Sequence, residues 1–413
     1  MKIRNLVVAI LTLLTVQSYA QLTISGELRP RAEYRNGYKT LTPNDVDAAL
    51  FVSQRTRLNT KFISKDYTFF LSVQDVRVWG DVKQLNTSDN NGLAVHEAWG
   101  KVKFSPNFAV KLGRQEIIYD DSRMFGNVGW AQQGRSHDAA IFKFENENYK
   151  LDLGVAYNQD SEALFDNLYT VSGNYKAMQY AWYHKEWSNF KASFLFLNNG
   201  LQNIVDDEVR YSQTFGTHMK YKTTNALSFN ANVYLQSGKD VADNDLSAYL
   251  LGLDLGYKAS AKVNLGVGFE IQSGNAYDGD ASENKAFTPF YGTNHKFNGF
   301  MDYFYVGNHA NSVGLVDIYA KIGTKLGEKS SLTAFVHNFS AQADIAQDVE
   351  KQLGTEIDLV YSHKLNKDVT IGAGYSQMLA SEGLEYLKNN SSGNGNNWAW
   401  LMVTIKPTLF SSK

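Results

Sequence analysis

The sequence predicts an all-β protein, a transmembrane antiparallel β-barrel of about eighteen strands with short periplasmic turns and long extracellular loops. Three observations carry that expectation. A secretory leader precedes a chain without cysteine, a two-residue hydrophobic period recurs in segment after segment, and short connections alternate with long ones.

The leader occupies residues 1–20. Lys2 and Arg4 supply a basic start, Leu6 to Val16 an almost unbroken apolar stretch, and Ser18-Tyr19-Ala20 a small-x-small cleavage site before Gln21. Residues 21–413 then read as one continuous domain, with no Pro-rich or charged linker. The absence of cysteine excludes a lipoprotein anchor, a disulfide framework and a thiolate metal site. Mean hydropathy is −0.35, a value typical of a soluble chain. A membrane barrel hides its apolar character, because every second side chain faces the lumen and can be polar. Aromatic residues make up 13% of the chain and prolines number five, which suits strands with interfacial girdles.

The alternation is clearest late in the chain. Val263, Leu265, Val267, Phe269 and Ile271 share one parity, while Asn264, Gly266, Gly268, Glu270 and Gln272 share the other. Tyr249, Leu251, Leu253, Leu255 and Tyr257 repeat the pattern with tyrosines at both ends, where girdles belong. Comparable segments fall at 22–35, 49–62, 67–79, 93–104, 107–117, 136–145, 149–158, 177–186, 189–199, 209–222, 225–237, 246–258, 262–274, 312–325, 330–341, 353–364, 368–380 and 397–410. The number is even, as single-chain outer-membrane barrels require. Short turns occur at Ser64-Lys65-Asp66, Ser105-Pro106, Asn146 to Asn148, Trp187-Ser188, Thr223-Thr224, Ala259 to Ala261, Gly327-Glu328-Lys329 and Asn366-Lys367. Every other connection is longer, which places the long loops outside and both termini on the periplasmic side.

The longest loop, about Asn275 to Asn311, is expected to fold inward and narrow the pore, with 118–135 and 159–176 as further contributors. Ser391 to Asn397 reads as a flexible tip. In the last segment Ala399, Leu401, Val403 and Ile405 alternate toward Leu409 and Phe410, but Pro407 interrupts the strand and Phe410 is out of phase.

The charged rows that bear on function are those expected to face the lumen. Glu27, Arg29, Arg31, Glu33 and Arg35 share one parity, and Arg55, Arg57, Asn59 and Lys61 share another row. A charge facing lipid costs about 2–4 kcal/mol near the midplane, so these rows are expected to point inward. Arg77, Arg114, Arg123, Arg135, Lys143 and Arg210 add cations from other segments. Guanidinium is permanently charged and offers a planar fork matched to carboxylate, so such a row suits passage of a polyanion. The same residues also fit a structural salt-bridge network with Glu27, Glu33, Asp75, Glu97, Glu116, Asp120, Asp121 and Asp138, and both readings stand at this point.

Gly113-Arg114-Gln115-Glu116 with Arg123 downstream, followed by Trp130, Gly134-Arg135 and Asp138, resembles the alginate export family of outer-membrane porins. Weaker echoes lie at Gln74 to Gly80, Phe300 to Phe304 and Gly314 to Asp317. The resemblance implies a monomeric eighteen-stranded barrel with an arginine-rich constriction that passes acidic polyuronate. It makes Arg114, Arg123 and Arg135 the first constriction candidates and Arg55, Arg57 and Arg77 the next, and the parity row of the first segment adds Arg29 and Arg31 to the expected pathway. The chain departs from the family's exporters at about Leu365 to Asp368, where their long periplasmic gating loop has no counterpart.

The expected partners are an anionic oligo- or polysaccharide and outer-membrane lipid, with no cofactor, metal or nucleic acid. A general porin without sugar specificity, an outer-membrane enzyme and an adhesin with a blocked lumen are the rivals. Against the enzyme, adjacent His137 and Asp138 fall on opposite faces of a regular strand, and His96-Glu97 lacks a histidine four residues on.

Overall fold

A computed structural model describes residues 20–412 apart from 86, 87, 90, 224, 225, 392 and 394. The predicted leader lies outside the described residues except for Ala20, as do Thr224 of a predicted turn and Ser392 and Asn394 of the predicted loop tip.

Eighteen antiparallel strands form a closed barrel. They are β1 (Gln21–Asn36), β2 (Ala49–Ile63), β3 (Tyr67–Val78), β4 (Ala94–Ser105), β5 (Phe108–Gln115), β6 (His137–Glu145), β7 (Tyr149–Tyr157), β8 (Ala177–Trp187) and β9 (Phe190–Gln202). Then come β10 (Val209–Lys222), β11 (Leu227–Lys239), β12 (Asp245–Lys258), β13 (Val263–Gln272), β14 (Leu315–Lys325), β15 (Ser330–Ser340), β16 (Gln352–Lys364) and β17 (Val369–Ala380). The last, β18, runs Asn396–Ile405 and resumes at Thr408–Ser411. Each strand pairs with its chain neighbours, and β18 pairs with β1 to close the wall. A two-residue piece, Glu283–Asn284, lies parallel to β12 but belongs to a loop. Among the described residues no helix is long and apolar enough to cross a membrane.

Register carries the alternation around the wall. Phe229 faces Leu255, Ala231 faces Leu253 and Val233 faces Leu251, so apolar residues stack side by side on the outward face. At the seam, Leu28 pairs with Ile405, then the register slips around Pro407 so that Ile24 meets Phe410. That bulge returns Phe410 to the outward face, and so resolves the phase error visible in the sequence.

Two of the three loops expected to fold inward, 118–135 and 275–311, enter the lumen, and Tyr175 of the third packs in the same cluster as Phe125. The 116–136 connection seats Ile117, Met124 and Phe125 against inward Tyr180, Trp182, Leu195, Leu197, Tyr234 and Leu250. The 273–314 connection seats Met301, Tyr303 and Phe304 against inward Leu315, Phe339, Met378, Trp398 and Trp400. Gly216 and Gly374 let Tyr234 and Trp400 lie flat on the wall, where any Cβ would collide with those rings. The loops are tied together, Gly126 N–H donating to Tyr291 O at 2.8 Å and Thr293 N–H to Ser122 O at 2.9 Å.

Candidate substrate pathway

The arginines of β1 and β2 face inward along one continuous register, in which Arg29 lies directly across from Arg55. All but Arg35, which binds Glu33, converge on residues 129–133. Arg29 donates to the carbonyls of Gly129 (2.7 Å), Trp130 (3.1 Å) and Ala131 (3.0 Å) and to Gln132 Oε1. Arg31 donates to Trp130 O at 2.7 Å and lies 4.0 Å from the Trp130 ring centroid. Arg55 reaches Gln132 O at 3.3 Å, and Arg57 reaches Gln133 O at 3.1 Å and Gln74 Oε1 at 2.8 Å.

Acceptor type divides these residues. Arg31 pairs with Glu33 at 2.8 Å and Arg55 with Glu27 at 2.6 Å, so their charges are matched. Buried Arg123 pairs with Glu270 at 2.6 Å and also binds Asn294 and Asn298, pinning one inward loop to the other and to β13. Among the described residues Arg29 and Arg135 bond only neutral acceptors, Arg135 through Gly292 O at 2.9 Å, and the nearest carboxylate to Arg57 is Glu116 at 3.9 Å. A carbonyl satisfies a guanidinium donor without cancelling its charge. Burial holds the Arg135 pKa below the usual arginine value.

Two predicted pathway residues stand elsewhere. Arg77 shares the parity of Phe69, Leu71 and Val73 and sits on the outward face, bound to Asp75 at 2.7 Å and Asp89 at 2.6 Å. Arg114 shares the parity of Val110 and Leu112 and pairs outward with Asp138 at 2.8 Å. Both lie near the long-loop ends of their strands. Neither lines the lumen, which corrects the expectation for these two positions.

Two cavities flank the inward loops. One of about 380 Å³ is lined by Arg29, Arg55, Arg57 and Lys406 beside Glu27, Glu97 and Glu116. The other, about 710 Å³, lies against β8–β15 and holds Asp121, Asp254, Glu270 and Asp317 with Lys220 and Lys321. The lumen thus has an arginine wall and a facing wall of mixed charge. His96, Glu97 and Glu116 bring ligand-type atoms within 4.8 Å of one another. Each is already engaged, His96 with Glu116 at 2.8 Å, Glu97 with Trp99 Nε1 at 3.0 Å, and Glu116 also with Asn127 at 2.9 Å.

The long loop is clasped at Asp302, which accepts from Tyr38 Oη at 2.5 Å and bonds His295 Nδ1 at 2.8 Å. Burial pulls the Asp302 pKa upward, but His295, Tyr38 and Lys39 together hold it below the usual aspartate value. No residue pattern marks the 129–133 carbonyls, because a backbone acceptor has no residue identity. A sign of the loop seats did exist, in apolar Trp182, Leu195, Leu197 and Leu250 at polar parity.

A closed eighteen-strand wall, an apolar outer face and loops folded into a charged lumen define an outer-membrane channel barrel. The family model for alginate export matches residues 20–386, and the chain belongs to that family. No curated protein sequence matches it. Among solved structures it is similar to OccAB4 of Acinetobacter baumannii, with 12% identity, 96% of this chain and 99% of that one covered, and a TM-score of 0.65. OpdL of Pseudomonas aeruginosa gives 12% identity, 94% and 99% coverage and 0.62. OpdK of the same organism, crystallised with vanillate, gives 11%, 94% and 99%, and 0.58. At these identities the likeness is one of fold.

Proposed function

We propose that this barrel conducts an anionic oligo- or polysaccharide of the polyuronate kind along its arginine wall, as a monomeric channel. The observation that carries the reading is the bonding of Arg29, Arg57 and Arg135 mainly to neutral acceptors. Their donors are satisfied while their field remains, which attracts a carboxylate without a fixed counter-ion to displace. Arg57 and Arg135 keep further N–H positions for a passing uronate, buried Arg29 adds its field, and several moderate sites in series allow release as well as capture. Arg31, Arg55 and Arg123 are structural partners in this scheme, and Arg77 and Arg114 play no part in it.

Planar-bilayer recording tests the reading. In a potassium chloride gradient the wild type should prefer chloride, and hexagalacturonate should block the current where maltohexaose does not. The Arg29→Gln, Arg57→Gln double variant should lose most of the anion preference and at least about tenfold in blocking affinity, since each charge-assisted bond is worth about 1.5–3 kcal/mol. A cation-preferring wild type indifferent to uronates would overturn the proposal and favour a general porin.

A further inference from the structure

The arginine wall lies under the inward loops, but a second set of cations encircles the short-turn mouth. We propose that this ring of lysines is a capture site for polyanions, giving the channel a sided affinity that is higher from the periplasm. The inference rests on the polyuronate reading above and adds a location and a direction to it.

Register identifies the ring. Lys61 keeps the parity of inward Arg55 and Arg57. Lys103 follows Glu97 and Lys101, and pairs through Ala109 with Lys143, which itself faces inward Asp152. Lys191 lies across from Lys220 in the row that includes the lumenal residues Asn230 and Asp254. On the other half, Lys222 follows His218, Lys258 follows Asp254, Lys325 follows Asp317 and Lys321, and Lys364 follows Glu356 and Asp358.

Each of these eight lysines stands within two residues of a strand end, one at every short turn. Among the described residues, the inward carboxylates at the same positions are Glu145 and Glu186 alone. Lys143 is matched by Asp152 and Lys191 by Glu186, whereas Lys61, Lys103, Lys222, Lys258, Lys325 and Lys364 have no carboxylate oxygen within 4.0 Å among the described residues.

Hydration of the rim does not account for the pattern, because hydration is indifferent to sign. The outward neighbours at these ends are aromatic instead, as at Phe104, Trp187, Tyr221 and Tyr257. The opposite mouth carries the opposite charge. Each of the nine long connections holds more carboxylates than cations, from 37–48 with Asp45 and Asp47 against Lys39, to 203–208 with Asp206, Asp207 and Glu208 and no cation. A polyanion approaching from outside meets repulsion first, and one approaching from the periplasm meets a ring of mobile ammonium groups. Such groups attract without the geometric grip of guanidinium, which suits capture followed by transfer to the arginines.

The chain lacks cysteine, so Ser161→Cys in an exposed long loop provides a biotin site, and streptavidin then reports which side of a bilayer that loop faces. Hexagalacturonate is added to one side at a time in about 0.1 M potassium chloride. Block from the short-turn side is expected at about tenfold lower concentration, with the difference collapsing near 1 M, where the Debye length falls to about 3 Å. Lys61→Gln, Lys222→Gln, Lys258→Gln and Lys364→Gln combined should abolish the difference, and the matching lysine-to-arginine variant should restore it. Equal block from both sides in the wild type, or sidedness that survives in the glutamine variant, overturns the capture ring and leaves the polyuronate reading standing. Absence of block from either side overturns both.

Discussion

Arg123 and Arg57 carry the same group in different settings. Arg123 is almost fully buried, and its partner Glu270 is nearly as enclosed, so removing the cation leaves a carboxylate in the interior with only amide donors. Breaking one side of a buried pair costs about 3–5 kcal/mol. Arg123→Met should therefore lower the urea unfolding midpoint of the barrel in lipid vesicles by a corresponding amount, while Arg57→Gln should change ion preference with a shift of under about 1 kcal/mol. Equal midpoints for the two variants would remove the structural role assigned to Arg123. At this scale the sequence was legible wherever parity was read together with apolar neighbours, as for Arg29, Arg31, Arg55 and Arg57. Arg77 and Arg114 have the residue type and family likeness of pathway residues, but Leu71, Val73, Val110 and Leu112 on their own strands mark that parity as outward. Outward arginine is tolerated there because Asp75, Asp89 and Asp138 match it near the strand ends, away from the hydrocarbon midplane.

The strands were legible because their period is a direct consequence of one wet and one lipid-facing surface, and the bounds read from alternation differ from those observed by a few residues at most. The inward loops were legible only in length. Their seats depend on side chains from distant strands, as when Met301 and Tyr303 meet Trp398 and Met378. The Asp302 clasp shows how such a loop is held and how it can be released. Its carboxyl is held below the usual aspartate pKa in the fold, so its contribution is fully present above about pH 4 and is lost as pH falls through the lower folded value. Conductance should rise reversibly below that pH as the loop loosens from Tyr38 and His295, and Asp302→Asn should show the raised conductance already at neutral pH. An Asp302→Asn channel whose conductance at neutral pH is indistinguishable from the wild type would place the restraint on the apolar seat alone.

At the scale of the whole barrel, charge is segregated along the axis. Acidic long loops crown one mouth and lysines ring the other, six of the eight without a carboxylate partner among the described residues, an arrangement invisible to the net charge of −2, which sums over the whole chain. Ions respond to the local field at each mouth and not to the sum. A pore that favours anions at one end and cations at the other fills with salt when both are driven toward its middle, and empties when both are drawn out. Filling occurs when the long-loop side is positive, since anions then enter through the lysines and cations through the acidic loops. At about 0.1 M salt the Debye length is about 10 Å, long enough for these fields to act within the mouths, whereas at 1 M it is about 3 Å. Current through oriented single channels should therefore be larger with the long-loop side positive at low salt and become symmetric at 1 M. Rectification of the opposite sign, or a linear response at low salt, would mean that the inward arginines and the inner carboxylates around Asp254 and Glu270 dominate the field instead of the two mouths.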